Sequence, residues 1–207
     1  MALEIKPISK KSLAAAVFEQ LRDQIVQGDM EPGESLPSER ILCDRLGVNR
    51  GAVREGLKRL EQAGLVSIHQ GGATSVRDFR KSAGLEILGA LIVGPAGRIN
   101  THIVRSIIDM RTNLALELAE RAAQHANQTL GDDLMAVVTT MREQPEDIEA
   151  LQSLAMQYWG LVVAASKSLP YQLAYNSMSA VYSQIQSQLS QALADEVCAF
   201  DDYDALA

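Results

Sequence analysis

Residues 35–64, SLPSERILCDRLGVNRGAVREGLKRLEQAG, constrain the fold more than any other stretch of this 207-residue chain. They hold two short amphipathic segments joined by a turn at Gly47, Val48 and Asn49. Leu42 and Leu46 lie four apart, on one face of the first segment. Val53, Leu57 and Leu60 lie four and three apart, on one face of the second. Arg50, Arg54, Lys58 and Arg59 place four positive charges on the second segment. Two short packed helices around a Gly-containing turn, the second basic at its start, make a helix-turn-helix pattern. Such a helix must meet phosphates and guanine edges, and a basic start suits both. Two ordinary surface helices would show the same periodicity, so the flanking sequence has to decide.

Downstream, GLVSIHQGGATSVRD places two runs rich in Val, Ile, Ser and Thr around Gln-Gly-Gly, which predicts a hairpin. Upstream, Ser12–Gln27 carries Leu13, Val17, Leu21, Ile25 and Val26 on one side and is closed by Gly28. Three helices and a hairpin make a winged helix. Pro32-Gly33 and Leu36-Pro37 break the chain after the first helix. Ser38 is the expected N-cap of the next helix, with Ser35 placed to join a short strand before it. Asn49 is the expected N-cap of the recognition helix, leaving Arg50 at its very start. Gly51 and Ala52 are small enough to let that helix end approach bases and backbone closely.

PGESLPSER followed by LGVNRGAVREGLKRLEQAGLV resembles the DNA-binding domain of the GntR family, over roughly residues 8–78. The LPSER motif, the V-x-R-x-x-V-R-E run and the Gly64-Leu65 step into the wing occur together and in order. The next segment, DFRKSAGLEILGAL, is similar to the linker and first effector-domain helix of the FadR subgroup, whose best-known members sense fatty acyl-CoA. RSIIDMRTNLALELAERAA, AASKSLPYQL and SMSAVYSQI continue the similarity more loosely. The resemblance implies a winged helix-turn-helix at 1–78, a linker and first effector helix at 79–100, and an all-helical effector-binding and dimerisation domain at 101–207. The expected fold class is mainly α, with the small hairpin in the first domain and an antiparallel helical bundle in the second.

The resemblance also places Arg40, Arg50 and Arg54 on the family arginines that contact phosphate and guanine. The planar guanidinium pairs two acceptors at once, which suits that role. The competing reading of Arg54 is an ion pair with Glu55 or Glu61. Lys58 and Arg59 read as a solvated helix face. In the wing, Gln70-Gly71-Gly72 is expected to graze the minor groove. The subgroup usually has His-Gly at the tip, whereas here the histidine is displaced to His69, so Gln70 and Gly71 take the tip position. One residue of displacement along a strand reverses the side-chain direction. A single winged helix covers few base pairs, so a homodimer on a pseudo-palindromic double-stranded operator is expected.

Charge divides the chain in the same place. Residues 1–82 carry a formal +2 and residues 83–207 carry −9, giving the overall −7. An acidic protein binds DNA where its positive charge clusters on one face. No segment approaches the ~20 apolar residues of a membrane span, no signal peptide opens the chain, and the expected compartment is the cytoplasm. Cys43 and Cys198, the two cysteines, read as buried small hydrophobes rather than a bridge.

Helical patterns fill the acidic half: Ser82–Val93, Thr101–His125, Thr129–Met141, Asp147–Ser166, Tyr171–Leu193 and a short one near Asp195–Leu206. Asp147 is the expected N-cap of its helix, and Leu169-Pro170 marks a break. Bundles of this kind hold ligands between facing helices. Arg111 sits mid-helix among Ile107, Ile108, Leu114 and Leu118. A charge beside an apolar face needs a partner. Two readings stand open: an anchor for an acidic effector, or a structural pair, with Glu117 on the same helix or in the neighbourhood of Asp109. Asn113, Tyr175, Asn176 and Tyr182 are candidate polar lining, each also readable as a satisfied core residue.

Many effector domains in the wider family hold a divalent metal through one Asp and three His. The positions corresponding to the Asp and first His are Ala155 and Trp159 here, which cannot ligate, so no metal or cofactor is expected. That favours a larger, mainly apolar effector such as a long-chain fatty acyl-CoA. The chain stops at FDDYDALA, where family members continue through further helices that carry part of the acyl-CoA site. The expected function is a regulator whose free dimer binds its operator and is released by an acyl-CoA or a similar acidic effector. The alternatives are a regulator answering another metabolite and a ligand-blind DNA-binding protein. A small helical enzyme with a DNA-anchoring arm finds no Ser/His/Asp, Cys/His or paired-carboxylate constellation to support it.

Overall fold

The computed structural model describes residues 12–69, 72–94, 97–189 and 197–206. The chain forms two compact units, Met1–Arg98 and Ile99–Ala207.

In the first unit, α1 (Leu13–Gln27) starts where Ser12 Oγ accepts from the Ala15 N–H and stops at Gly28, whose φ of +86° closes the helix. α2 (Glu39–Leu46) is capped by Ser38, and α3 (Arg50–Gln62) by Asn49. The expected apolar faces bury except at the start of α1, where Leu13 is 53% exposed, while Val26 and Leu46 are half-buried. Val17, Leu21 and Ile25 of α1 meet Leu42 of α2 and Val53, Leu57 and Leu60 of α3, none more than 4% exposed. Each such aliphatic side chain contributes about 1.5–3 kcal/mol by leaving water. Gly56 lets α1 and α3 approach closely, since a Cβ there would stand 2.7 Å from Val17 Cγ1.

The hairpin pairs β1 (Val66–Ile68) with β2 (Thr74–Val76), in the register Val66↔Val76, Ser67↔Ser75, Ile68↔Thr74. Val66 and Val76 turn inward onto the helices. A bridge from Ser35 to Ser75 adds the segment before α2 as a third edge, as its position suggested. The Leu36 N–H donates to Thr74 O at 2.8 Å and the Val76 N–H to Glu34 O at 2.8 Å.

The expected single helix Ser82–Val93 is three short pieces instead: α4 (Phe79–Ser82), a 3₁₀ turn (Leu85–Ile87) and α5 (Leu88–Ile92). The break has a local cause. Ala83 and Gly84 are extended, and the Glu86 carboxylate takes the Gly84 N–H at 3.1 Å, opening a new turn there. Phe79, Ala83, Ile87 and Leu91 pack on the first unit's core. Ser82 Oγ donates toward Gly64 O at 2.6 Å and lies 3.0 Å from Asp78 O, fastening this segment to the end of the helix-turn-helix.

The second unit holds α6 (Thr101–Ala123), α7 (Gln128–Glu143), α8 (Ile148–Ala165), α9 (Leu169–Leu189) and α10 (Phe200–Leu206). Asn100, Asn127 and Asp147 cap α6, α7 and α8. Pro170 stands in the first turn of α9, where a missing N–H costs nothing. The last residues of the expected Tyr171–Leu193 helix and the start of the expected Asp195–Leu206 helix lie outside the described residues. α8 is central, its Leu151, Tyr158, Val162 and Val163 buried among Val137, Val138 and Met141 of α7. Tyr158 OH donates to Tyr203 O at 2.9 Å, and the two rings meet edge to face with centroids 5.0 Å apart. Burial pushes the Tyr158 phenol up to about 12. Arg142 of α7 reaches Asp201 at 3.1 Å and also Asp204, and its guanidinium lies over the Phe200 ring, so one side chain fastens α10 to α7.

The cysteines differ from expectation. Cys43 is half-buried against the first core, but Cys198 is exposed, in the turn that leads into α10. Both are free thiols.

Candidate nucleic-acid interface

The turn between α2 and α3 builds the site. Gly47 adopts φ +65° with open space around it, and the Val48 N–H returns to Cys43 O at 3.2 Å. The chain then reverses into Asn49, whose Oδ1 accepts from the Ala52 N–H at 2.9 Å. That bond satisfies one of the amides that a helix start leaves open. Asn49, Arg50 and Gly51 are exposed together and Ala52 is half-buried, so the first turn of α3 presents a small, positively charged tip. The helix N-terminus itself favours anions, and Arg50 adds a full charge to it.

Arg40 and Arg54 flank that tip on α2 and α3. The Arg40 side chain is 73% exposed and makes a long, 3.6 Å ion pair with Asp44. Arg54 is 67% exposed. Its partner is neither Glu55 nor Glu61. Arg54 Nε donates to Glu39 Oε1 and Oε2 at 3.0 and 2.9 Å, across the turn from the first residue of α2. Glu55 is taken by Arg59 at 3.1 Å, and Glu61 accepts from the Ile68 N–H at 2.9 Å, bracing the wing against α3. Lys58 is exposed, whereas Arg59 is paired and half-buried.

In the wing, His69 and Gly72 are exposed, and the Gly72 N–H donates to His69 O at 3.0 Å to close the loop. Gln70 and Gly71, the expected tip, lie outside the described residues. Beyond the wing, Arg77, Arg80 and Lys81 are exposed; Lys81 pairs with Asp78 and holds that carboxyl below the usual carboxylate range.

In the second unit, Arg111 of α6 is half-buried and its positive charge acts on Tyr175 of α9. Tyr175 OH donates to Met156 O; burial raises the phenol, while the Ser179 hydroxyl and the positive charge of Arg111 oppose that rise. Asn113 is exposed on α6 and Tyr182 is half-buried on α9. Asn176 is also exposed and accepts from Gln172 at 3.0 Å. Glu117 is engaged by Arg121, whose guanidinium also lies over the Tyr171 ring. Ala155 is buried and Trp159 is half-buried. Among the described residues, no three His, Cys, Asp or Glu side chains cluster as metal ligands, and no helix is long and apolar enough to cross a membrane.

Two domain families divide the chain. Bacterial regulatory proteins of the gntR family match residues 13–76, and the FadR C-terminal domain matches residues 77–205. The HTH-type transcriptional regulator Mce2R of Mycobacterium tuberculosis is 37% identical over 205 residues, covering 99% of this chain and 85% of that protein. The fatty acid metabolism regulator protein of Klebsiella pneumoniae is 31% identical over 183 residues, covering 86% and 72%. Among solved structures, Lar, which controls the expression of the Listeria monocytogenes agr system, superposes with a TM-score of 0.50 at 14% identity over 96% of this chain and 97% of Lar, a likeness of fold alone. With an exposed arginine-tipped helix braced by a wing in its first domain and a FadR-type helical domain in its second, the chain belongs to the gntR family of bacterial regulatory proteins, as a DNA-binding transcriptional regulator.

Proposed function

We propose that a homodimer of this chain binds a pseudo-palindromic operator in the cytoplasm and releases it when a long-chain fatty acyl-CoA, or a similar acidic effector, enters the helical domain. The observation that carries the reading is the tip of α3: Asn49 spends its side chain on the cap, so Arg50, Gly51 and Ala52 are free to enter a groove. Arg40 and Arg54 stand beside them to take phosphate and guanine, and the role assigned to Gln70 and Gly71 is a contact in the neighbouring minor groove. Two copies give the half-site spacing that one small module lacks.

For the effector, Arg111 supplies a half-buried positive charge that acts on Tyr175, in a domain with an overall negative balance. That charge suits a phosphate or carboxylate group. Tyr182 and Asn113 would add polar contacts. The name of the Klebsiella pneumoniae relative, fatty acid metabolism regulator protein, supports a fatty-acid-derived ligand. Ala155 and Trp159 favour a ligand held by apolar contact and one cation over a metal-chelated carboxylate. A switch from 99% bound to 99% free requires the ligand to favour one geometry by about 5.5 kcal/mol.

The test is a gel shift with the full chain on a duplex selected by the protein from a random library, titrated with long-chain acyl-CoA. Loss of the shifted band at micromolar acyl-CoA, with Arg111→Ala needing far more, is the expected result. A band that persists at saturating acyl-CoA defeats the effector assignment.

A further inference from the structure

The Glu39–Arg54 pair joins the first residue of α2 to the exposed face of α3 through charge. Both of its carboxylate oxygens converge on Nε, at 3.0 and 2.9 Å, from a residue 15 positions away. The pair is exposed, 67% for Arg54 and 38% for Glu39, so it contributes little to stability. Its consequence lies in what it does to the arginine. With Nε engaged, the two Nη groups and their four N–H bonds remain, and those are enough for a two-pronged bond to guanine O6 and N7. A free arginine would have to surrender its rotamer freedom at the moment of binding; this one has surrendered it already. The carboxylate also sits where a phosphate would approach the same guanidinium, and like charge opposes that approach. A guanine edge is neutral and meets no such opposition.

We propose that Glu39 is a positioning residue for operator specificity: it aims the Arg54 guanidinium at a base edge and denies it to the phosphate backbone. This rests on the reading above that Arg54 meets DNA. Glu39 therefore raises the ratio of specific to non-specific binding, while its effect on the fold is slight.

The test uses full-length wild-type protein, Glu39→Gln, Glu39→Asp, Arg54→Ala and the Glu39→Gln/Arg54→Ala double variant. Binding is measured on a duplex selected by the wild type from a random library, on copies with each base pair swapped in turn, and on an unrelated duplex over a range of salt. Arg54→Ala should lose discrimination at one G·C position. Glu39→Gln should lose it at the same position by roughly five- to tenfold, and bind unrelated DNA more tightly. Its salt slope on unrelated DNA should steepen by about one unit, as one more phosphate contact forms. Glu39→Asp keeps the charge but falls a methylene short of Nε, so it should lose discrimination without gaining non-specific affinity. In the Arg54→Ala background, Glu39→Gln should change nothing further at that position. Wild-type discrimination in Glu39→Gln, at a position that Arg54→Ala does affect, overturns the proposal and leaves Arg54 as a base contact. If Arg54→Ala alters no position, the base-contact reading falls, and the role of Glu39 falls with it.

Discussion

Asn49 does two things at one position, and the second depends on the first. By accepting from the Ala52 N–H it ends the turn and starts α3, and by doing so with its own side chain it leaves the tip to Arg50. Caps of this kind are legible in sequence: Ser38, Asn49 and Asp147 cap the helices expected of them, and Ser12, expected as the first residue of its helix, is its cap. A cap is decided by its own residue and the next three, so local sequence suffices. The partner of Arg54 was not legible for the opposite reason. Glu55 and Glu61 are near in sequence, but Glu39 is brought near only by the packing of α2 on α3. Two of the glycines that turn the chain show the same contrast between local and distant causes. Gly47 and Gly64 both have positive φ, +65° and +70°, yet a Cβ at Gly47 would meet nothing within 4 Å, whereas one at Gly64 would stand 2.2 Å from Ser82 O. Gly47→Ala should therefore cost only about 1–2 kcal/mol, the left-handed backbone penalty. Gly64→Ala should cost about 3 kcal/mol or more, because the 79–84 segment must also move. Urea unfolding followed by far-ultraviolet circular dichroism checks both, and equal losses would show that the Ser82 contact is immaterial.

At the scale of elements, the periodic stretches gave their helices with ends displaced by a few residues, because buried stripes repeat on a scale a reader can count. The stretch Ser82–Val93 did not, since its apolar residues suit a helix while Gly84 and the Glu86 carboxylate break it locally. Nor was the docking of α10 visible: Arg142 lies 59 and 62 positions from its two aspartates. Tyr158 offers a direct probe of that docking. Its phenol is raised from 10.0 to about 12 by burial, with the Asp204 charge adding to the effect. The unfolded chain releases this proton near pH 10, while the folded chain keeps it until about 12. Between those values the folded state binds more protons, so stability falls as pH rises, by up to about 1.4 kcal/mol per pH unit from this group. Its contribution is fully present below pH 10 and is lost by about pH 12. Trp159, the chain's one tryptophan, has its ring centroid 6.2 Å from that of Tyr158 and reports locally by its emission. Tyr158→Phe should flatten the alkaline fall in stability relative to wild type. Identical slopes from pH 10 to 12 would place the alkaline loss elsewhere.

For the whole molecule, the division of charge and the division of labour coincide. The near-neutral first 82 residues, at +2, contain the winged helix, and the strongly acidic remainder, at −9, contains the helical bundle. An acidic domain is repelled by phosphate, which favours the first domain as the one that meets DNA. The site's backbone was legible because caps, turn and apolar stripe are all short-range features. Its electrostatic wiring was not, because ion pairs form wherever packing brings charges together. The central claim is that the first turn of α3 lies in a groove of duplex DNA with Arg50 against it. Arg50 is exposed and outside the core, so its removal should spare the fold. The most direct measurement is fluorescence anisotropy of the selected duplex with wild type and Arg50→Ala, alongside circular dichroism and sedimentation of both proteins. A groove-lying α3 requires Arg50→Ala to lose specific binding by about tenfold or more while helicity and oligomeric state stay as in the wild type. An unchanged affinity and footprint for a folded Arg50→Ala would mean that α3 does not read DNA.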